Sequence, residues 1–424
     1  MRLSVFEDFA VRDLEPLTLT RPAFDLRCGA ASLLERQASA CSPRQVGALV
    51  RQDLEGLCRL NYPGLVVNDL AWLSEPGLVL VNARWLAPLR APDLTAPVVG
   101  MVGEQVAFVA LPQGTRLDGS PDGLAEHLAD WKQTLPCVPA GGSLIDAPWD
   151  LVERNGEALA QDCFRWRATR SFQADLQGLM LIGPRDQLLV DPSAQIEPLV
   201  LVDTTRGPVL IDRGAMVKAF TRLEGPCYIG AGTQVFAGRI CGSSIGPQCR
   251  VGGEIEESIL HGYSNKRHDG FLGHSYVGEW VNFGAGTQTS DLRNDYGTIN
   301  MEVGGVLRNT GRVKLGAFVG DHARTGIGTL LNTGTSVGPF SQLLPWGSLL
   351  PRRIPAFAQF GHGQLRERTD LRDIMTTAAK VMERRGCTWT EIHTECFFSL
   401  FESTTRQRKQ SLREAEQARL RRSV

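Results

Sequence analysis

The chain has 424 residues, with 45 basic against 46 acidic side chains and 42% hydrophobic content. That length leaves room for two or three domains, and the near-zero net charge excludes a global electrostatic bias toward nucleic acid or an anionic surface. No stretch approaches the roughly 20 apolar residues that a bilayer crossing needs. The opening MRLSVFEDFAVRD puts acids soon after a single Arg, so a soluble, cytoplasmic protein with neither a membrane nor a nucleic-acid partner is expected. Ten cysteines spread from Cys28 to Cys396 without a CxxC pair, which argues against a zinc ribbon or a dense disulfide framework.

Residues 1–175 alternate aliphatic runs, such as Leu65 to Leu70 and Leu78 to Leu86, with Pro- and Gly-bearing turns, the pattern of strands in a mixed α/β sheet. Here Leu14-Glu-Pro-Leu-Thr-Leu-Thr-Arg-Pro22, followed by Leu33-Leu34-Glu35, resembles the first signature of the sugar nucleotidyltransferases. The resemblance implies a sugar phosphate and a nucleoside triphosphate as ligands, and Mg²⁺ for nucleotidyl transfer. In that family the backbone amides of a glycine-rich loop cradle the phosphates. Phe6-Glu-Asp-Phe-Ala-Val-Arg12 stands in place of that loop, Ala23 or Phe24 replaces its lysine, and Arg84 ends the strand that elsewhere presents an aspartate to the metal. The candidates for holding nucleotide and phosphate are Arg12, Thr20, Arg21, Arg27, Asn82 and Arg84. Asp69, Asp146 and Asp150 are carboxylates available to another arrangement, and the metal ligands stay unassigned.

From Val190 an aliphatic residue recurs every six positions: Val190, Ile196 and Val202, then Ile211, Val217, Leu223, Ile229 and Val235. The phase returns at Ile245 and Val251, at Val277 and Phe283, and at Val319, Leu331 and Val337, with Thr325 on the missing beat. Small residues follow four positions later, as at Ala215, Thr233 and Ala323, and Gly one position later, as at Gly230, Gly284 and Gly338. Each hexad makes one flat strand and one turn, and three close a triangular coil with aliphatic residues stacked inside. A left-handed parallel β-helix is therefore expected over residues 185–345. Two polar interruptions, Ser258 to Gly273 and Thr289 to Arg312, are expected to carry the binding face.

Between them, His268 precedes Phe271-Leu272-Gly273, then come Asn282-Phe283-Gly284-Ala285-Gly286-Thr287 and Asp291-Leu292-Arg293-Asn294-Asp295. With Gly311 to Ile327, this order resembles the acetyltransferase half of the bifunctional sugar-1-phosphate nucleotidyltransferase/N-acetyltransferases, the GlmU-like enzymes of UDP-N-acetylglucosamine-type synthesis for the cell envelope. That family carries acyl groups on acetyl-CoA and assembles as homotrimers. The resemblance makes His268 the catalytic base, a task that suits an imidazole titrating near neutrality. It points to Asn282, Lys266, Asp291, Arg293, Asn294 and Lys314 for the substrate, and to Ala285, Gly320 and Ser341 for acyl-CoA. His274 and His322 are weaker candidates for the base. Phe271 stands where the family has a tyrosine, and Glu256 near the place of a basic residue.

Residues 363–424 read as a tail of two helices, the first over about Thr369 to Arg385 with Leu371, Ile374, Ala378, Val381 and Met382 on one face, suited to capping the solenoid. The basic end, RQRKQSLREAEQARLRRSV, reads as a solvated helix. Besides acyl transfer with a sugar-nucleotide domain in front, two readings stay open. One is a nucleotidyltransferase with the β-helix as oligomerisation scaffold; the other is a non-catalytic sugar-nucleotide-binding protein.

Overall fold

The computed structural model describes residues 1–112, 114–115, 117, 121–173 and 178–422. These form two compact units: Met1–Leu14 with Arg21–Leu26 and Ala31–Ala147, and Glu15–Thr20 with Arg27–Ala30 and Pro148–Val424. The expected boundary at 175 lies outside the described residues. The helices Pro148–Glu153 and Asn155–Thr169 go with the second unit, because Leu159, Cys163 and Trp166 pack on Leu189, Leu210 and Tyr228.

The first unit is built on a seven-stranded mixed sheet: β1 (Arg2–Phe6), β2 (Gln45–Leu49), β3 (Val66–Val67), β4 (Leu78–Asn82), β5 (Val98–Val102), β6 (Gln105–Ala110) and β7 (Cys137–Pro139), in the order β7-β5-β6-β4-β1-β2-β3. β1 runs parallel to both β2 and β4, so both its edges are paired, and every one of its residues is buried. The helix Leu33–Cys41 begins on a capping box: Ser32 Oγ accepts from the Glu35 amide at 3.2 Å, and Glu35 Oε2 accepts from the Ser32 amide at 2.7 Å. Ser32→Ala is expected to cost this unit about 1 kcal/mol in chemical denaturation, the usual worth of such a cap; no shift of the midpoint would show that the box contributes nothing.

In the second unit the six-residue period resolves into stacked columns. Val190, Ile211, Ile229, Ile245, Leu260, Val277, Val319, Val337 and Ile354 pair successively in parallel register. A second column runs Ile196, Val217, Val235, Val251 and Lys266, and a third Leu181, Val202, Leu223, Ile240, Ile255 and Leu272. The parallel β-helix is thus present, with Leu181 and Phe360 both packed into or against its core, beyond the expected limits of 185 and 345.

Ser258 to Gly273, expected as an interruption, is a regular coil with Leu260, Lys266 and Leu272 at its three inward positions. The lysine on one aliphatic beat hid the repeat. The second interruption is a true insertion, containing the hairpin Asn300–Val303 with Val306–Asn309.

The tail also departs from expectation. Its start is a strand, Gln364–Glu367, antiparallel to Ala358–Gly361, and three helices follow: Leu371–Glu383, Glu391–Ser403 and Thr405–Arg422. Gly386, at φ 73°, lies between the first two in a backbone region that favours glycine. Aromatic residues at left-handed coil corners form a ladder, with Tyr263 on Trp280 at 4.3 Å, His322 on Phe340 at 4.7 Å and Phe340 on Phe357 at 4.9 Å. Phe397 of the middle helix packs edge-on to Phe340. His322, one of the two weaker base candidates, is therefore a buried member of this stack. The last helix is not wholly solvated: Arg408 is fully buried and donates to Glu367 Oε1 at 2.7 Å and Thr404 Oγ1 at 2.9 Å.

Candidate functional site

His268 stands exposed on the bend between the strands Asn265–Lys266 and Phe271–Gly273. Beneath it Lys266 is buried, and its Nζ donates to the carbonyls of Gly252 at 3.0 Å and His268 at 2.9 Å. Its register with Val251 makes this an inward position, so its ammonium pins the bend and does not face a ligand, contrary to expectation. Burial pushes its pKa down to about 8, against an opposing contribution from Asp269.

Asn282 is exposed, bridges in register to Asn265 and Arg324, and accepts from Asn265 Nδ2 at 2.8 Å. An outward row of hydrogen-bonding side chains thus crosses adjacent coils beside the His268 bend.

Asp291, expected to hold substrate, is buried and committed to His274: Nδ1 of the ring lies 2.8 Å from Oδ2. A carboxylate can only accept, so Nδ1 carries the hydrogen. The two residues are 17 apart, close to one coil, which is the signal that could have revealed them in the sequence. His274 lines a cleft of about 510 Å³ with Trp149, Arg239, Glu257 and Lys314. Glu224 holds Arg239 through bonds of 2.8 and 2.9 Å, and Lys314 lies exposed, 3.6 Å from Glu256 Oε1. Burial raises the Glu257 carboxyl above its usual range, with His274 opposing. Arg293 pairs with Asp295, Nε to Oδ1 at 2.7 Å, while Asn294 is exposed.

Among the positions expected for acyl-CoA, Ala285 is half-buried. Gly320 leaves no room for a Cβ, which would meet Pro339 at 2.8 Å, and buried Ser341 directs its hydroxyl to the carbonyls of Gly338 and Pro355, both at 2.8 Å. The last two serve coil packing.

The expected phosphate set is divided between the two units. Thr20 and Arg27 belong to the second unit, where Thr20 Oγ1 donates to Asp321 at 2.6 Å and Arg27 Nε to the His261 carbonyl at 3.3 Å. In the first unit Arg12 is exposed, and buried Arg21 pairs with Asp25 at 2.8 Å. Asp69 caps a helix by accepting from the Trp72 amide. Arg84, 1% exposed, bridges Asp8 and Asp146 at 2.6 Å each, and Asn82 Nδ2 donates to Asp8 at 2.8 Å. Among the described residues no group of three His, Cys, Asp or Glu side chains is placed to hold a metal ion. With a guanidinium between its two carboxylates, the end of β4 does not fit Mg²⁺.

Residues 3–171 match the sugar nucleotidyl transferase family. A bifunctional sugar-1-phosphate nucleotidylyltransferase/acetyltransferase of Sulfurisphaera tokodaii is 38% identical over 101 residues, 24% of this chain and 25% of that protein. Over part of its length the chain is thus similar to the GlmU-like bifunctional proteins, at modest identity. The bifunctional protein GlmU of a Jannaschia species is 31% identical over 131 residues, covering 30% of this chain and 26% of its own length. The chain therefore spans about a quarter of the length of these curated relatives. Among solved structures, an Arabidopsis UDP-N-acetylglucosamine acyltransferase aligns at a TM-score of 0.26 and 12% identity, over 55% of this chain and 93% of that one. The GlmU-like relatives are transferases. No helix among the described residues is long and apolar enough to cross a membrane.

Proposed function

We propose that the β-helix transfers an acetyl group from acetyl-CoA to the amine of an amino-sugar phosphate, in nucleotide-sugar synthesis of the UDP-N-acetylglucosamine type. The observation that carries this reading is the outward row of Asn265 and Asn282 beside the His268 bend, in a chain that over part of its length is similar to the GlmU-like proteins. The His268 imidazole takes the proton that the amine loses as its nitrogen attacks the thioester carbonyl. The C–S bond then breaks, the sulfur takes the proton from the imidazolium, and amide and free thiol leave. Asn282, able both to donate and to accept, orients the sugar. Partly exposed Arg293, which pairs with Asp295, and exposed Asn294 and Lys314 supply polar and cationic groups for its phosphate, and the small Ala285 lets the coenzyme approach the coil.

A homotrimer in the cytoplasm suits this reading, and the exposed apolar corner residues Leu199 and Phe220 of successive coils offer a face for self-association. Nucleotidyl transfer alone, with the β-helix as scaffold, is favoured by the family match over residues 3–171 and opposed by the Arg84 cluster.

Incubation of the full chain with glucosamine 1-phosphate and acetyl-CoA is expected to release free thiol. Incubation with a sugar 1-phosphate, UTP and Mg²⁺ is expected to release no pyrophosphate. Pyrophosphate without thiol would replace the first reading by the second.

A further inference from the structure

The Arg84 guanidinium has five N–H groups, and each has an acceptor. Nε donates to Asp8 Oδ1 at 2.8 Å; Nη1 to the Ile145 carbonyl at 3.0 Å and Asp146 Oδ1 at 2.6 Å; Nη2 to Asp8 Oδ2 at 2.6 Å and Gln105 Oε1 at 2.8 Å. Asn82 and Gln105 close the ring, donating to Asp8 and Asp146 respectively. Burial pulls the Arg84 pKa down, but the bonds and charges of Asp8 and Asp146 outweigh it and hold it above its ordinary value. The cation is therefore permanent, enclosed and without a donor for a phosphate oxygen.

We infer that the first unit carries a built-in cation, the Arg84 guanidinium clamped between Asp8 and Asp146, where a nucleotidyltransferase would take a divalent metal, and that no Mg²⁺ or Mn²⁺ is taken up there. A metal could enter only by pushing the guanidinium off both carboxylates, leaving a buried charge without partners, which is strongly unfavourable. A nucleoside phosphate bound to this unit is held without a metal bridge. Phosphoryl chemistry that relies on such a bridge to neutralise the transferred group is not performed at this cluster.

The test titrates the full chain with Mn²⁺, by electron paramagnetic resonance and by melting temperature, in wild type, Asp8→Asn, Arg84→Asp and Arg84→Ser. Wild type is expected to show no stoichiometric site that Asp8→Asn abolishes, and no Mn²⁺-dependent rise in melting temperature. Either Arg84 variant leaves carboxylates facing one another without a counter-ion, so Mn²⁺ is expected to raise its melting temperature by several degrees, as a ligand that binds only the folded state does. Testing both keeps the experiment informative if one fails to fold. A wild-type Mn²⁺ site lost in Asp8→Asn overturns the inference, as does a folded Arg84 variant that gains no Mn²⁺ binding. A wild-type site unaffected by Asp8→Asn lies elsewhere and leaves the cluster metal-free. These readouts do not involve thiol release, so they stand or fall separately from the acyl-transfer reading.

Discussion

His268→Ala is expected to lower kcat/KM for acyl transfer about 100- to 10,000-fold, the usual worth of a positioned general base. The fold should survive, because the ring is exposed on its bend and the bond from Lys266 reaches its backbone carbonyl, which alanine keeps. Circular dichroism and the melting temperature check that point, and free-thiol release from acetyl-CoA measures the rate. His274→Ala provides the contrast. It removes a ring held by Asp291 at 2.8 Å in the neighbouring cleft, and its expected loss is under about tenfold, because proximity to a base is not transfer through it. If the His274 variant collapses while the His268 variant keeps its rate, the proton acceptor is the His274–Asp291 pair and the cleft is the acceptor site.

The second large effect concerns Lys266. Its folded pKa of about 8 lies below the ordinary lysine value of 10.5. Below pH 8 both states carry the charge and the residue adds no pH dependence. Between pH 8 and 10.5 the unfolded chain binds the extra proton, so this residue's contribution makes stability rise with pH, by about 3 kcal/mol over that window. Urea unfolding of wild type and Lys266→Met at pH 7.5, 9 and 10.5 isolates the residue, because other titrating groups are common to both. The difference in stability is expected to shift toward wild type as pH rises. A constant difference would show that the ammonium is solvated in the native chain. The same variant removes the two bonds that anchor the His268 bend, so thiol release should weaken as well.

Much of the β-helix was legible in the sequence because a solenoid repeats one local rule, and each aliphatic beat predicted at Val190, Ile211, Ile229, Ile245, Val277, Val319 and Val337 lies in a single stacked column. The rule failed at Lys266, where polarity suggested a loop and register imposed an inward strand position. His268 and Asn282 were legible as motif residues, and both are exposed on adjacent coils. The roles expected of Asp291 and Ser341 were not, since a carboxylate or hydroxyl in a motif looks alike whether it faces a ligand or a neighbouring coil. The structure commits Asp291 to His274 and Ser341 to two carbonyls.

By itself the sequence determined the α/β sheet, the six-residue coil and a partial resemblance to known proteins, because these rest on periodicity and on the order of motifs along the chain. Tertiary structure decided what the charges do. Arg84 looked like a free phosphate ligand until Asp8 and Asp146, 76 and 62 residues away, were found on either side of it. Thr20 and Arg27, grouped with it as phosphate candidates, are assigned to the other unit. A charge takes its meaning from partners that folding supplies from far along the chain, and spacing along the sequence does not encode their distance in space.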